Sequence, residues 1–515
     1  MVEFLTGVNG EILRWARQRY NMSEEEAAYS IGIDIERYIN WEKGIDFPTY
    51  AMLKKAGNVF KKPTAIFFFP EPPSLPDIKA DLRTLPNSIS NTFSKNVIRQ
   101  FELAQVYQLN LKELYGDKIS LIQRIRSENV NISELCDEIR TELAFPIAAQ
   151  KARRSDKVVF EIFREKLYEL GVYVFKDAFG DDNISGLCLY DEKFPVIVIN
   201  NSMSFARQNF TLFHELYHLI SNTSGAEIIR DSFYLELSSE QANAEKRCDE
   251  FANEFLVPTE DFILELAKEP LSERRIAELA KIYAVSKEAI MYKLYVLGKI
   301  TADDYNQLKE FFYGDALRND RKKEGEKSSG NHYFTKLAYL GHQYAGAVFK
   351  EYFSGRISSY RASEMLNSKV DHLPKKGIHF EKIWQSLEEG FSNGDFVSVD
   401  ECFNELMKLY DDKSENVKWL QLHKNAFLNP TNKESLIIRD IFKNKKMQEA
   451  VHTKNIIENR PAADVYIIAK AEALNAIIVT KEKYKNHSAQ IPNICESRNI
   501  RYINYDDFME MISNL

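Results

Sequence analysis

The sequence predicts a multidomain, mainly α-helical protein with an α+β region in its middle and a small α/β unit at its C-terminus. Three observations support this fold class. The chain has 515 residues, a length that exceeds one hydrophobic core and predicts about three or four domains. Helical periodicity dominates residues 1–150 and 272–312. Apolar, strand-like runs are confined to residues 172–200 and to the region after residue 378.

Composition and charge exclude several classes of protein. Hydrophobic residues make up 44% of the chain and aromatic residues 12%, which is enough to form cores and argues against general disorder. The formal charge of -8 argues against a chain-wide nucleic-acid surface. The five cysteines form no CxxC pair, which is typical of a reducing compartment. Because neither a signal peptide nor a membrane span of about 20 apolar residues is recognisable, we expect a cytoplasmic protein.

Residues 1–72 carry the pattern of a helix-turn-helix. Ser23 and Glu26 form a predicted capping box at the start of one helix. Gly32 breaks the chain, and a second helix is expected over residues 34–43. Two short helices joined by a glycine-containing turn are typical of helix-turn-helix units. Prolines clustered after this domain mark its end, and residues 73–150 are expected to form a helical connector.

Two roles remain open for this N-terminal domain. If its second helix reads DNA, the candidate contact residues are Arg37, Tyr38 and Asn40. Residues 1–62 hold nine Lys or Arg and nine Asp or Glu, so their charges cancel, which is unfavourable near phosphates. Tyr38 also suits a core position. DNA binding and docking to a protein are therefore both retained.

The middle region, residues 151–262, has the pattern of an α+β core. Strand-like runs at residues 172–176, 186–190 and 195–200 precede amphipathic helices at residues 204–221 and 239–255. This order predicts helices packed beside a small antiparallel sheet. The strand at residues 196–200 is a candidate edge, to which an extended peptide could add by main-chain hydrogen bonds.

Residues 263–372 are predicted to be helical again, with a second helix-turn-helix-like unit at residues 276–297. The charged and polar run at residues 319–331 has no apolar periodicity, and we interpret it as a mobile linker. In residues 373–515, helices alternate with apolar strands at 476–480 and 501–504. This alternation predicts a small C-terminal α/β domain.

The strongest chemical signal is the pair His214 and His218. They are the only histidines in the first 331 residues, and their spacing of four places both imidazoles on one helix face, close enough to share a tetrahedral cation. Glu215 lies beside them, where a carboxylate can accept a proton from water at the same site. The alternative is an amphipathic helix with two histidines and a salt-bridging glutamate. The HExxH pattern is specific enough to favour the metal site.

A catalytic zinc site needs three protein ligands and one open position. The best third ligand is Glu245 on the later helix, because Asp249 follows it by one turn on the same face. A carboxylate there can hold a ligand imidazole in the right tautomer. Glu250 and Glu254 are the rival ligands, and neither has an acid so well placed. A solvated surface role remains the alternative for Asp249.

Residues 210–218 (FTLFHELYH) and residues 245–258, which end in FLVP, resemble the ImmA/IrrE family of zinc metallopeptidases. The resemblance covers about residues 10–370 and includes an XRE-type helix-turn-helix in front of a zincin-like core. It implies a zinc ion and a repressor-type regulator as substrate, in mobile elements or stress responses. The implied zinc ligands are His214, His218 and Glu245, and the implied general base is Glu215.

The sequence departs from that family in the bulk of three side chains. Tyr217 stands where the family usually has glycine. Phe213 and Cys248 stand where it has small residues. Larger side chains at these positions predict a narrower cleft and a narrower range of substrates, without affecting the metal ligands.

The C-terminal region, about residues 378–515, resembles PIN-like nucleases, RNA-cutting toxins whose metal lies in a cluster of about four acids. The resemblance carries over Glu405, Asp464 and Glu482 and implies Mg²⁺ or Mn²⁺, hard ions that prefer oxygen ligands. The family's first acid, in an Asp-Thr/Ser-Asn strand, has no counterpart, because Asp371 is the only nearby acid and its context differs. An active ribonuclease and a degenerate fold kept for structure or regulation are both retained.

Together these patterns predict an intracellular zinc endopeptidase. The resemblance to the ImmA/IrrE family implies that it cleaves a repressor or regulator protein in a stress, mobile-element or phage-defence response. One alternative is a toxin–antitoxin or defence fusion whose C-terminal domain is a ribonuclease controlled by the rest of the chain. Another is a DNA-binding transcriptional regulator. The expected partner is a protein substrate, and the open alternatives add DNA at the N-terminal domain and RNA at the C-terminal domain; no membrane partner is expected.

Overall fold

The computed structural model describes residues 3–75, 93–116, 120, 131–228, 237–320, 332–370, 381–449, 451, 453–460, 462–486, 488–505, 507, 508 and 511. The chain divides into two units. One, here called the discontinuous unit, combines Met1–Pro76 with Gly355–Leu515. The other, the central unit, spans Asp77–Ser354. The predicted N-terminal domain, residues 1–72, is thereby grouped with the C-terminal part of the chain.

The N-terminal part of the discontinuous unit is helical, and the predicted caps form. The Ser23 hydroxyl accepts a hydrogen bond from the Glu26 backbone N–H, and the Glu26 carboxylate accepts one from the Ser23 N–H. Gly32 ends this helix at φ 80°, where glycine has no side chain to clash. The helices span Gly10–Arg19, Glu24–Ile31, Ile35–Glu42 and Tyr50–Phe60, and a 3₁₀ turn spans Thr64–Phe68.

The central unit contains a four-stranded mixed sheet. Its strands are β1 (Tyr173–Asp177), β2 (Ile184–Leu189), β3 (Val196–Asn200) and β4 (Gly225–Ile228). They lie in the order β1-β3-β2-β4, with β1 and β3 parallel and the pairings of β2 with β3 and β4 antiparallel. The prediction of an antiparallel sheet is therefore wrong for the β1–β3 pair. The prediction that residues 196–200 form an edge is also wrong, because β3 is paired on both sides.

One long helix packs on this sheet, a second long helix packs against the first, and together they position the predicted site. The motif helix, Phe205–Ile220, packs on β2 and β3 and against the partner helix, Ser239–Leu256. Between the two helices, Phe213 stacks on Phe255 with ring centroids 4.0 Å apart, and both side chains are fully buried. This apolar contact fixes the rotation of the motif helix, and so the direction in which its histidines point.

The remaining helices of the central unit come before and after this core along the chain. The predicted helical pair at residues 276–297 is present as Glu273–Tyr283 and Lys287–Val296. Of the predicted linker, residues 319 and 320 end a helix, and residues 321–331 lie outside the described residues. The other helices are Lys95–Tyr115, Ile132–Glu142, Ile147–Arg153, Asp156–Glu169, Thr259–Leu266, Ala302–Asp320, His332–Leu340 and His342–Phe353.

The C-terminal part of the discontinuous unit alternates helices with short parallel strand pairs. β5 (Ser398–Val399) pairs with β6 (Phe427–Leu428), and β7 (Ile478–Thr480) pairs with β8 (Tyr502–Asn504). β7 and β8 lie within the predicted strands at 476–480 and 501–504. The helices are Ser359–Met365, Glu381–Asn393, Asp400–Leu409, Glu415–Leu422, Asn432–Phe442, Lys445–Gln448, Thr453–Glu458, Ala463–Leu474 and Ile491–Arg498, with a 3₁₀ turn at Lys424–Ala426.

The two chain segments of the discontinuous unit share one core. Phe69 from the first segment packs edge-on against Phe442 from the second, with ring centroids 4.6 Å apart. Between the same two segments the buried Tyr50 hydroxyl donates to Glu401 Oε1 at 2.9 Å, and Thr64 donates to the same oxygen. Apolar and buried polar contacts together show that neither segment completes its core alone.

Two further observations bear on the expectations from composition. No helix in the described ranges is both long and apolar enough to cross a membrane. All five cysteines are free thiols, as expected from their spacing in the sequence.

Candidate metal centre

The two histidines of the motif helix lie one turn apart and point into the interior. His214 and His218 are 2% and 1% exposed, and their ring centroids are 5.2 Å apart. Their positions follow from the i, i+4 spacing on a helix whose rotation is fixed by packing. The structure therefore brings the predicted pair together.

Glu245 reaches the same point from the partner helix. Its Oε2 lies 3.2 Å from Nε2 of His214, and its Oε1 lies 3.6 Å from Nε2 of His218. Burial raises the pKa of Glu245, but the neighbouring imidazoles outweigh it and bring that pKa down to about 2. The rivals are engaged elsewhere: Glu250 is exposed beside Lys246, and Glu254 pairs with Lys293 at 2.6 Å.

The polar atoms at this point of convergence fit a cation. Nε2 of His214, Nε2 of His218 and both carboxylate oxygens of Glu245 are buried, and none has a hydrogen-bond partner within the described part of the chain. Buried polar atoms without partners are costly, by about 1–3 kcal/mol each and more when charged. Two imidazole nitrogens and a carboxylate are a ligand set that zinc accepts. The donor set therefore fits zinc.

A shell of hydrogen bonds orients the two imidazoles. When Nε2 faces the cation, Nδ1 carries the proton. His214 Nδ1 then donates to Asp249 Oδ1 at 3.0 Å, and His218 Nδ1 donates to Thr223 Oγ1 at 3.2 Å. Such partners hold the ring orientation and raise ligand basicity. Asp249 lies where the sequence predicts it, whereas Thr223 was missed because a lone threonine in a turn carries no signal.

Glu215 is fully buried, and its two carboxylate oxygens differ in their hydrogen bonding. Its Oε1 accepts a hydrogen bond of 2.9 Å from the backbone N–H of Glu227 in β4, and its Oε2 has no partner among the described residues. Burial raises the pKa of Glu215, and the Cys188 thiol lies beside it. A carboxylate with a raised pKa beside a cation site suits proton transfer.

The strand β4 is itself tied to the motif helix. The Glu227 side chain, 4% exposed, accepts a hydrogen bond from the Ser185 hydroxyl at 2.5 Å and forms an ion pair with Arg207. Arg207 lies on the motif helix, two turns before His214. Sequence reasoning missed Glu227, because its role depends on pairing between distant segments.

Two of the three residues that depart from the family pattern, Phe213 and Tyr217, pack in the core between the helices. Phe213 packs on Phe255, and Tyr217 packs on Phe251 with ring centroids 5.2 Å apart. Cys248 is 1% exposed. The expectation that this bulk narrows the cleft is therefore wrong for Phe213 and Tyr217, which face the interior between the helices.

The acids of the C-terminal domain are near one another without forming a tight cluster. Asp464 and Glu482 line one cleft of about 570 Å³, and Glu405 accepts a hydrogen bond of 3.1 Å from the backbone N–H of Ala463. Burial and Glu482 raise the pKa of Asp464 to about 6. Among the described residues, these acids do not form a group of three ligand atoms within 4.8 Å. Asp371 lies outside the described residues.

The candidate DNA-contacting residues are largely engaged within the chain. Tyr38 is fully buried and packs near Trp41, so its ring does not face outward, and this placement argues against a contact with bases. Arg37 forms an ion pair of 2.9 Å with Asp46. The backbone oxygen of Asn40 accepts hydrogen bonds from residues 45 and 46, and its side chain is half-buried.

Comparison with known proteins assigns two parts of the chain. Residues 375–514 match the model of a domain of unknown function (DUF4411). A search of curated proteins found no match to the chain. Residues 168–295, which include His214, His218 and Glu245, match the model of the IrrE N-terminal-like domain of the M78 peptidases. The chain thus carries an M78 peptidase domain of the IrrE N-terminal-like type, followed by a separate C-terminal domain of the DUF4411 type.

Proposed function

We propose that the central unit is a zinc-dependent endopeptidase that cleaves a repressor or another regulator protein in a stress, mobile-element or phage-defence response. One observation carries the catalytic part of this proposal. Buried atoms of His214, His218 and Glu245 that have no hydrogen-bond partner in the described part of the chain converge, and the Glu215 carboxylate interacts electrostatically with both imidazoles. The M78 match at residues 168–295 supports a metallopeptidase. The regulator as substrate rests on the resemblance of the sequence to ImmA/IrrE proteins.

Each residue has a defined part in this chemistry. When bound, a zinc ion supplies polarisation of the scissile carbonyl and a lower pKa for the attacking water. His214, His218 and Glu245 would hold the ion. Glu215 takes the proton of the attacking water on its free Oε2 and passes it to the leaving amine. The Glu227 N–H keeps the other oxygen of Glu215 in place.

The strand β4 is the candidate platform for the substrate backbone. It pairs with β2 on one side and ends the sheet in the described part of the chain. Its residue Glu227 touches the general base directly. An extended peptide that added to the free edge of β4 by main-chain hydrogen bonds would pass close to Glu215. This role replaces the one expected for residues 196–200.

The decisive experiment uses Glu215→Gln in the full-length chain. The substitution removes the proton acceptor and keeps the side-chain volume, so zinc content should be unchanged and cleavage should fall by about 10²–10⁴-fold. Because bound substrate is not turned over, the same variant should retain its protein substrate for identification by mass spectrometry. Glu250→Gln, at an exposed position on the partner helix, serves as control. Undiminished proteolysis by Glu215→Gln would refute the assignment.

A second candidate function is metal-dependent cleavage of RNA by the C-terminal domain. The observation in its favour is that Asp464 and Glu482 line the same cleft, where acids could hold Mg²⁺ or Mn²⁺. If this function exists, the full-length protein degrades RNA with Mn²⁺, and Asp464→Ala abolishes the activity while Glu215→Gln preserves it. Absence of RNA cleavage under these conditions favours a structural or regulatory role.

A further inference from the structure

Cys248 lies at the candidate metal centre in addition to the three residues already assigned to it. It follows Glu245 by three positions on the partner helix and is 1% exposed. Its sulfur and one ring nitrogen from each of His214 and His218 all lie within 4.8 Å of one another. The sulfur is therefore close enough to the two imidazoles to share a cation with them.

The environment of this thiol differs from that of another buried cysteine in the unit. Cys136 has its sulfur 3.9 Å from the backbone oxygen of Phe251, a contact that accounts for its position. The Cys248 sulfur instead lies within 4.8 Å of one ring nitrogen of each of His214 and His218. In the described ranges, Nε2 of both rings and the carboxylate oxygens of the neighbouring Glu245 have no hydrogen-bond partner. Thiolate sulfur is a good zinc ligand, and coordination itself removes the thiol proton.

We propose that Cys248 supplies a sulfur ligand to the same metal ion, so that four side chains surround it in the resting protein. The inference rests on the proposed function, since it requires the ion held by His214, His218 and Glu245. Zinc with four protein ligands is the pattern of closed structural sites, whereas catalytic sites keep one position open. With a bound ion the resting peptidase would therefore be latent. It would become active when the bond between the ion and the sulfur breaks, the Cys248 thiolate takes up a proton from solvent and a water molecule fills the vacated position.

X-ray absorption spectroscopy of the zinc-loaded full-length protein tests this directly. A sulfur ligand gives a shell at about 2.3 Å, distinct from nitrogen and oxygen at about 2.0–2.2 Å. We expect one sulfur atom per zinc in the natural protein and none in Cys248→Ala. Cys188→Ala is the matched control, because Cys188 is equally buried and lies beside Glu215, and it should keep the sulfur shell.

A second readout uses cobalt in place of zinc. The natural protein should show a near-ultraviolet sulfur-to-cobalt charge-transfer band, and this band should be absent from Cys248→Ala and present in Cys188→Ala. In a peptidase assay, Cys248→Ala should cleave faster than the natural protein, because its fourth position is open.

The outcomes separate this inference from the function on which it rests. A shell of nitrogen and oxygen alone in the natural protein overturns the role of Cys248 and leaves the peptidase site intact. A sulfur shell that persists in Cys248→Ala also overturns it. Failure of the natural protein to bind any stoichiometric metal overturns both proposals.

Discussion

Gly225 in β4 lies directly against the ring of His218. A β-carbon at Gly225 would come within 2.7 Å of Cδ2 and 2.8 Å of Nε2 of that imidazole, closer than real side-chain contacts allow. The strand β4 therefore packs tightly against His218, one of the proposed metal ligands, and only glycine at position 225 leaves room for the imidazole ring.

Gly225→Ala should weaken metal binding while the unit stays folded. Since the added methyl group must displace the His218 ring, we expect zinc affinity to fall by about 10–100-fold, the range found when the support of a ligand is disturbed. Competition with a chromophoric chelator measures the affinity. Gly346→Ala is the control, because its β-carbon would meet nothing within 4 Å. Equal zinc affinity in both variants would show that His218 does not bind the ion.

Asp249→Ala should weaken the same site from the other side. Loss of the 3.0 Å contact with His214 Nδ1 leaves that imidazole free to rotate, and zinc affinity should again fall by about 10–100-fold. Glu250→Ala removes the next acid along the helix, which is exposed, and should leave zinc affinity unchanged. If Asp249→Ala and Glu250→Ala lower zinc affinity equally, the loss is due to the removal of negative charge and not to the loss of the contact with His214.

Arg207→Ala should loosen β4. The Glu227 carboxylate would then be buried without its cationic partner, at a cost to the free energy of unfolding of about 1–3 kcal/mol. Hydrogen exchange at residues 226–228 should become faster, because the pair helps to hold the strand on the motif helix. The double variant Arg207→Ala/Glu227→Gln should recover part of the stability by removing the unpaired charge. Unchanged exchange in the single variant would contradict this role.

Glu401→Gln should change how the stability of the discontinuous unit depends on pH. Burial raises the pKa of Glu401 above its usual value, and the hydrogen bonds from Thr64 and Tyr50 offset this only in part. A group with a raised pKa favours folding at low pH, and that contribution is lost as the pH rises through the raised pKa. The neutral glutamine escapes this loss, so the variant should gain stability over the natural protein at about pH 8 relative to about pH 5.

Thermal unfolding at several pH values measures this difference. Glu389→Gln, at an exposed position in the same unit, should show no such pH-dependent gain. A constant difference between Glu401→Gln and the natural protein across the pH range would mean that the pKa of Glu401 is the same in the folded and unfolded states.

The local features of the sequence predict the helices well, and they predict which side chains meet at the candidate metal centre. Ser23 and Ser204 cap their helices as local rules require. The proximity of His214 and His218 follows from their spacing alone. In the sequence, Asp249 distinguishes Glu245 from Glu250 and Glu254, and in the structure Asp249 Oδ1 lies 3.0 Å from His214 Nδ1.

The pairing of distant segments could not be predicted in the same way. The sequence of β3 suits an edge strand and an interior strand equally, and only its neighbours β1 and β2 decide between them. β4 is four residues long and begins with glycine, so it lacks a detectable strand pattern. Because β4 could not be predicted, the hydrogen bond from the Glu227 backbone N–H to Glu215 could not be predicted either. Tyr50 and Glu401, separated by 351 positions, leave no local sign of their hydrogen bond.

The division of one unit between both ends of the chain has a consequence for biosynthesis. Met1–Pro76 leaves the ribosome before residues 355–515, and the surface that covers Phe69 and Tyr50 comes from that later segment. At about 5–20 residues per second, roughly 20–90 s pass between the synthesis of Pro76 and that of Leu515. During that interval the segment Met1–Pro76 exposes apolar side chains, while the central unit can already fold. Chaperone binding to ribosome-bound chains should therefore concentrate on Met1–Pro76 until residues 355–515 have been made.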